Sequence, residues 1–69
     1  MKPTAAQCRV LQDIARRGPL QRWRLYTAGH RYDTVERCVE RGWLRQVTIR
    51  GVESALDLTE NGRAALERG

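Results

Sequence analysis

Residues 43–58 read WLRQVTIRGVESALDL, and within this stretch apolar and polar side chains alternate. Alternation places successive residues on opposite faces of an extended chain, so a period of two marks strands rather than a helix. Trp43, Val47 and Ile49 alternate with polar residues, and Leu44 is expected to turn toward the rest of the protein. Arg50-Gly51 interrupts the pattern, and glycine there permits the positive φ that a tight hairpin turn needs. From Val52 the return strand puts Val52, Ser54, Leu56 and Leu58 on one face and Glu53, Ala55 and Asp57 on the other. The stretch therefore predicts a β-hairpin. A two-stranded hairpin is marginal alone in water, so its flanks must cover it.

Those flanks carry helical spacing. Upstream, Thr4 and Gln7 form a capping box ahead of a helix over about 4–17. Cys8, Leu11, Ile14 and Ala15 recur on its packing stripe with Val10 on the flank, while Arg9, Gln12, Asp13 and Arg16 are expected to face out. Gly18 is expected to end that helix as a left-handed cap, and Pro19 blocks its continuation. Residues 19–21 read as extended. A short helix follows over about 21–28, with Trp23, Leu25 and Tyr26 as its apolar mass and Gly29 at its end. A third helix spans about 31–41, with Val35, Cys38 and Val39 on one stripe and Gly42 beyond it. Its other side holds Asp33, Glu36, Arg37, Glu40 and Arg41, where Arg37 and Arg41 are expected to compensate Glu36 and Glu40. Downstream of the hairpin, Thr59 can cap a helix over about 60–68 that packs through Ala64, Ala65 and Leu66. Leu11, Ile14, Val35, Val39, Leu44, Leu56 and Leu58 should converge as one core.

Composition bounds what such a chain can do. Sixty-nine residues form one domain, and a domain of that size buries only about 60% of its unfolded surface, leaving little room for an active-site cavity. The chain is 41% apolar and 30% charged, the balance of a soluble globular protein. No apolar run approaches the ~18 residues of a membrane span, and the sequence starts with no apolar signal segment. A cytoplasmic protein without a membrane partner is expected. Cys8 and Cys38 are the only cysteines and His30 the only histidine, which matches no zinc spacing. Two buried free thiols are expected, and no metal or cofactor. No nucleophile with a base, no paired-carboxylate pocket and no phosphate-cradling glycine loop is visible, so the chain does not read as an enzyme.

Charge is unevenly placed. The net charge is +5, and every basic residue except Lys2 is arginine. Residues 1–31 carry a net +6 and residues 32–69 a net −1. A basic half on a small protein points to a polyanionic partner, and arginine forks suit phosphates and guanine edges.

Three segments carry a resemblance to winged helix-turn-helix proteins, of the kind found in MarR-like or PadR-like bacterial and phage regulators. Residues 8–18, CRVLQDIARRG, resemble the first helix of such regulators. Residues 34–44, TVERCVERGWL, resemble the recognition helix with its glycine and apolar pair, and 56–66, LDLTENGRAAL, the element that follows the wing. The resemblance spans nearly the whole chain. It implies an α+β winged helix-turn-helix domain over 1–69, with a three-helix core, a two-stranded β-hairpin wing and a short C-terminal helix.

The resemblance also implies double-stranded DNA as partner and transcription regulation as role. In that family the third helix enters the major groove while the wing and the preceding helix hold the backbone. The positions that match are His30, Arg31, Tyr32, Thr34 and Arg37 for the groove, Arg22 and Arg24 for phosphates, and Arg50 at the wing tip for a minor groove or phosphate. Read as residues alone, Trp23 and Tyr32 are core or rim packing, Trp43 is core, and His30 is a capping or surface residue. The chain departs from the family in two respects. Carboxylates at Asp33, Glu36 and Glu40 line the outer side of the third helix, and long dimerisation helices are absent. Both favour an alternative, a winged-helix protein-interaction module, such as an antirepressor or an inhibitor of a larger complex, that does not bind DNA; beside DNA, the partners left open are another protein or a second copy in a homodimer.

Overall fold

A computed structural model describes residues 2–51 and 53–68. The element order is α1 Ala5–Arg17, α2 Arg22–Thr27, α3 Tyr32–Glu40, β1 Leu44–Ile49, β2 Glu53–Leu58 and α4 Glu60–Arg68. The domain is thus α+β, with four helices and one antiparallel hairpin among the described residues, an arrangement compatible with a winged-helix layout. None of these helices is long and apolar enough to cross a membrane.

Local sequence accounts for most boundaries. Thr4 Oγ1 accepts from the Gln7 amide at 3.1 Å while Gln7 Oε1 accepts from the Thr4 amide at 2.8 Å, so both halves of the capping box form. At the other end of α1 the Gly18 amide donates to the Ile14 carbonyl. Gly18 takes φ 85° and ψ −170°, so it is not the left-handed cap expected. It leads the chain directly into the segment that holds Leu20. That segment gains a partner, because Leu20 and Leu56 exchange both amide–carbonyl bonds, at 3.1 and 2.8 Å. The bridge lays the α1–α2 connection along β2.

The hairpin register runs from Leu44 opposite Leu58 to Ile49 opposite Glu53. The turn therefore falls between Ile49 and Glu53, where Arg50 (φ 56°) and Gly51 (φ 79°) both take positive φ. The expectation for Val52 lies outside the described residues. Ser54 is exposed although it shares its strand face with Leu56, and Ala55 on the other face is buried opposite Val47. Burial is thus not confined to one side of β2.

The core sits where α1 meets α3, α4 and β2. Leu11, Ile14, Val35, Leu44, Leu56 and Leu58 are buried together as expected, joined by Val10, Leu20, Leu25, Cys38, Trp43 and Ala65. Three α1 and α3 assignments change. Val39 is only half-buried against the core, Ala15 is exposed, and Val10 is wholly buried rather than flanking. Cys38 is a buried free thiol and Cys8 a half-buried one. Asp13 is the largest departure: expected to face out, it is 9% exposed. Its oxygens take Arg17 Nε at 2.8 Å and a second guanidinium nitrogen of Arg17 at 3.0 Å, and Oδ2 also meets His30 Nε2 at 3.0 Å. Burial raises the Asp13 pKa, but the bonds from Arg17 and His30 outweigh it and hold the carboxyl below its ordinary 3.8.

One corner fastens α4 to the α3–β1 junction. The Thr59 amide donates to the Trp43 carbonyl at 3.0 Å, and its hydroxyl donates to the Gly42 carbonyl at 2.5 Å and accepts from the Gly62 amide at 3.0 Å. Gly62 is buried, and a Cβ there would run into the Trp43 carbonyl oxygen. Leu58, Thr59 and Gly62 thus have a packing role at this corner.

Candidate nucleic-acid interface

The residues expected to meet a partner come from α2, the α2–α3 turn, α3 and the hairpin tip. α2 has six residues, and only Leu25 is buried. Trp23, two positions earlier, lies about 200° around the helix, so it points away from the core and is 54% exposed. Its ring is nonetheless oriented. The indole Nε1–H donates to Gln21 Oε1 at 2.9 Å, and the Arg24 guanidinium lies over the ring, 4.7 Å from its centroid. Tyr32 opens α3 and is 67% exposed, with its ring 5.8 Å from the half-buried Tyr26. Of the two readings, core or rim, neither Trp23 nor Tyr32 is core; Tyr32 packs at the rim against Tyr26.

The arginines divide by what holds them. Arg22 Nε donates to Glu36 Oε2 at 2.8 Å, and a second guanidinium nitrogen reaches Oε1 at 3.4 Å. The Tyr26 hydroxyl donates to the same carboxylate at 3.5 Å. The Arg22 bonds hold the Glu36 pKa below its ordinary value despite partial burial. Glu36 thus pairs across to α2 and not with Arg37 or Arg41 as expected. Arg37 instead reaches Glu40 at 3.5 Å, and Arg31 reaches Asp33 at 3.4 Å, both on open surface. Such exposed pairs contribute only ~0–1 kcal/mol and exchange partners readily.

Arg24 and Arg50 have no carboxylate partner among the described residues, and they line one cleft of about 360 Å³ with Pro19, Leu20, Gln21 and Ile49. A second cleft of about 390 Å³ begins at the same Gln21 and continues past Arg22, Trp23 and Tyr26 to Ser54. The two clefts share only Gln21, and together they make up a track with Arg24 and Arg50 lining one part and Trp23 and Tyr26 the other.

The remaining expected residues do not join that track. His30 is turned onto Asp13 and is largely covered, its side chain 14% exposed. Thr34 is half-buried and lines two shallow clefts on the α1 side, one with Arg37 and one with Arg9, His30 and Arg31. The structure thus brings Arg24 and Arg50 together, keeps Arg31, Tyr32 and Arg37 on the open face of α3, and commits Arg22 and His30 to internal carboxylates. Gln21, which the sequence did not single out, lines both clefts. α2 is short, and its single inward leucine leaves Trp23 no core to enter.

Among the described residues no three His, Cys, Asp or Glu side chains gather to hold a metal ion. No family model matches the chain, and neither a curated protein nor a solved structure matches it.

Proposed function

We propose that the chain is a winged-helix protein that binds double-stranded DNA, with α3 toward the major groove and the hairpin tip against the backbone, as a bacterial or phage transcription regulator. One observation carries the reading. Arg24 from α2 and Arg50 from the hairpin tip line a single cleft and are unpaired among the described residues. Two cations converging from separate elements, with no carboxylate among the described residues lining the cleft, fit a phosphate, whose neutralisation supplies most non-specific affinity. Arg31 and Arg37 are restrained only by exposed pairs, so a guanine edge can recruit them at small cost. Arg22 keeps its bidentate bond to Glu36 and acts as scaffold for the interface. His30 does the same through Asp13.

A second reading rests on a specific observation. The exposed cations of α3 are matched by its own carboxylates, and exposed Trp23 and Tyr32 stand beside them. A neutral aromatic surface also suits a protein partner, since Trp, Tyr and Arg dominate interface hot spots.

Fluorescence anisotropy with a mixed-sequence duplex across a salt series separates the two. DNA binding requires affinity that falls steeply with salt. Arg24→Ala and Arg50→Ala should each weaken binding several-fold at low salt and lower the log–log salt slope by about one. Arg68→Ala at the end of α4 serves as the control of equal charge. Absence of salt-dependent binding, or equal effects for all three variants, removes the DNA reading and leaves the protein-docking one.

A further inference from the structure

The aromatic half of the Gln21 track has no role in phosphate binding. Trp23 is half-exposed, and yet its orientation is fixed by Gln21 at its edge and Arg24 over its ring. The indole N–H is already satisfied, so the ring offers a partner its surface and not a hydrogen bond. Tyr26 lies in the same cleft as Trp23, and Tyr32 lies 5.8 Å from Tyr26, so three rings follow one another across α2 and into α3. Glu36 is neutralised by Arg22. The charges at the other end of the track, Arg24 and Arg50, are both positive and have no carboxylate partner among the described residues. A cationic groove continuing into a row of rings is the arrangement that holds nucleic-acid strands whose bases are unstacked. Duplex DNA keeps its bases stacked within the helix and can present only their edges to such rings. Charge decides against an acidic peptide as occupant, because such a peptide would use Arg24 and Arg50 and leave the rings idle.

We propose that the track from Arg50 through Gln21 to Trp23 is a binding site for unpaired bases, with Arg24 and Arg50 on the strand's phosphates and a base on the Trp23 ring, so that the preferred target is DNA with an unpaired segment beside the duplex. The proposal rests on the DNA reading above and narrows its target. Stacking needs no unpaired cations on α3, which suits a helix whose Arg37 is paired with Glu40 and whose Glu36 is paired with Arg22.

The test compares three fluorescein-labelled DNAs of equal phosphate number: a blunt mixed-sequence duplex, a duplex with an oligothymidine tail, and oligothymidine alone. The wild type should bind the tailed duplex most tightly. Trp23→Leu should lose roughly five- to hundredfold on that DNA, the range for removing one stacked aromatic, and much less on the blunt duplex. Trp23→Tyr, which keeps a ring, should restore most of the loss. Because Trp43 is buried, quenching of tryptophan emission by the tail should come from Trp23 and vanish in Trp23→Leu. Melting curves of all variants should coincide, since Trp23 lies outside the core. Equal affinity for blunt and tailed duplex with a neutral Trp23→Leu overturns this inference and leaves the duplex reading standing. No binding to any of the three DNAs overturns both.

Discussion

Gly62→Ala offers a test in which the usual rule and this fold point in opposite directions. Within a solvent-facing helix the change stabilises, by about 1 kcal/mol. Gly62 lies in the first turn of α4 with Trp43 against it, so an added methyl meets the Trp43 carbonyl oxygen and, at 3.1 Å, the Leu58 Cδ2 atom. The carbonyl is backbone and already accepts the Thr59 amide, so it cannot swing aside as a side-chain tip would. Relief requires α4 to back away, which strains three bonds at that corner: Thr59 amide to Trp43, Thr59 hydroxyl to Gly42, and Gly62 amide to Thr59. At roughly 1 kcal/mol each, set against the helical gain, the net loss is about 2 kcal/mol. That is a large share of the ~3–10 kcal/mol a domain of this length commands, and it corresponds to a fall of about 10–15 °C in Tm. Circular dichroism at the helical minimum during heating measures it. Asn61→Ala, at the exposed neighbouring position, isolates helix propensity and should raise Tm slightly. A Gly62→Ala protein melting at or above wild type would refute the close approach, and with it the account of why this position is glycine.

Other expectations follow from the carboxylates, the thiols and the track. Asp13 and Glu36 have folded pKa values below their ordinary 3.8 and 4.5, so their stabilisation is complete above the unfolded values and is lost as pH falls through the folded ones. Acid unfolding below about pH 4 should therefore be steeper in wild type than in Asp13→Asn or Glu36→Gln, both of which are less stable at neutral pH; parallel acid limbs would contradict the pairing. Burial, with a smaller contribution from Cys8, pushes the Cys38 thiol to about 11, so iodoacetamide on the native protein should label Cys8 first, and mass spectrometry showing equal labelling would deny the burial of Cys38. Arg24→Ala and Arg50→Ala should flatten the salt dependence of duplex binding, and Trp23→Leu should act chiefly on tailed DNA.

What the sequence made legible was whatever depends on neighbours along the chain. The Thr4–Gln7 capping box, the period change at Leu44 and the turn at Arg50-Gly51 are local patterns, and the elements fall within a residue or two of where those patterns put them. What failed depends on partners far away. Asp13 sits at a helical position that composition assigns to solvent, and only a histidine across the fold together with Arg17 makes its burial tolerable. Glu36 has arginines on its own helix, and yet the arginine that reaches it comes from α2. Trp23 reads as core or rim packing because tryptophan is apolar, whereas the length of α2 decides which way it faces. The candidate site suffered the same way: which arginines exist was plain, but which ones remain unpaired was a property of the tertiary fold.

The Leu20–Leu56 bridge has a consequence for how the chain assembles. The hairpin closes between near neighbours and can form in microseconds. The bridge joins residues more than half the chain apart, so its loop-closure entropy is met only once α1 and β2 have found each other. Docking of the helical half onto the hairpin is then the step expected to commit the molecule to its native state. Both amides of the bridge are locked by the same event, so they are released together, and only when the two halves part. A hydrogen-exchange experiment would find these two positions behaving as one clock, timing the opening of the domain as a whole while the hairpin tip and the helix ends exchange on their own schedules.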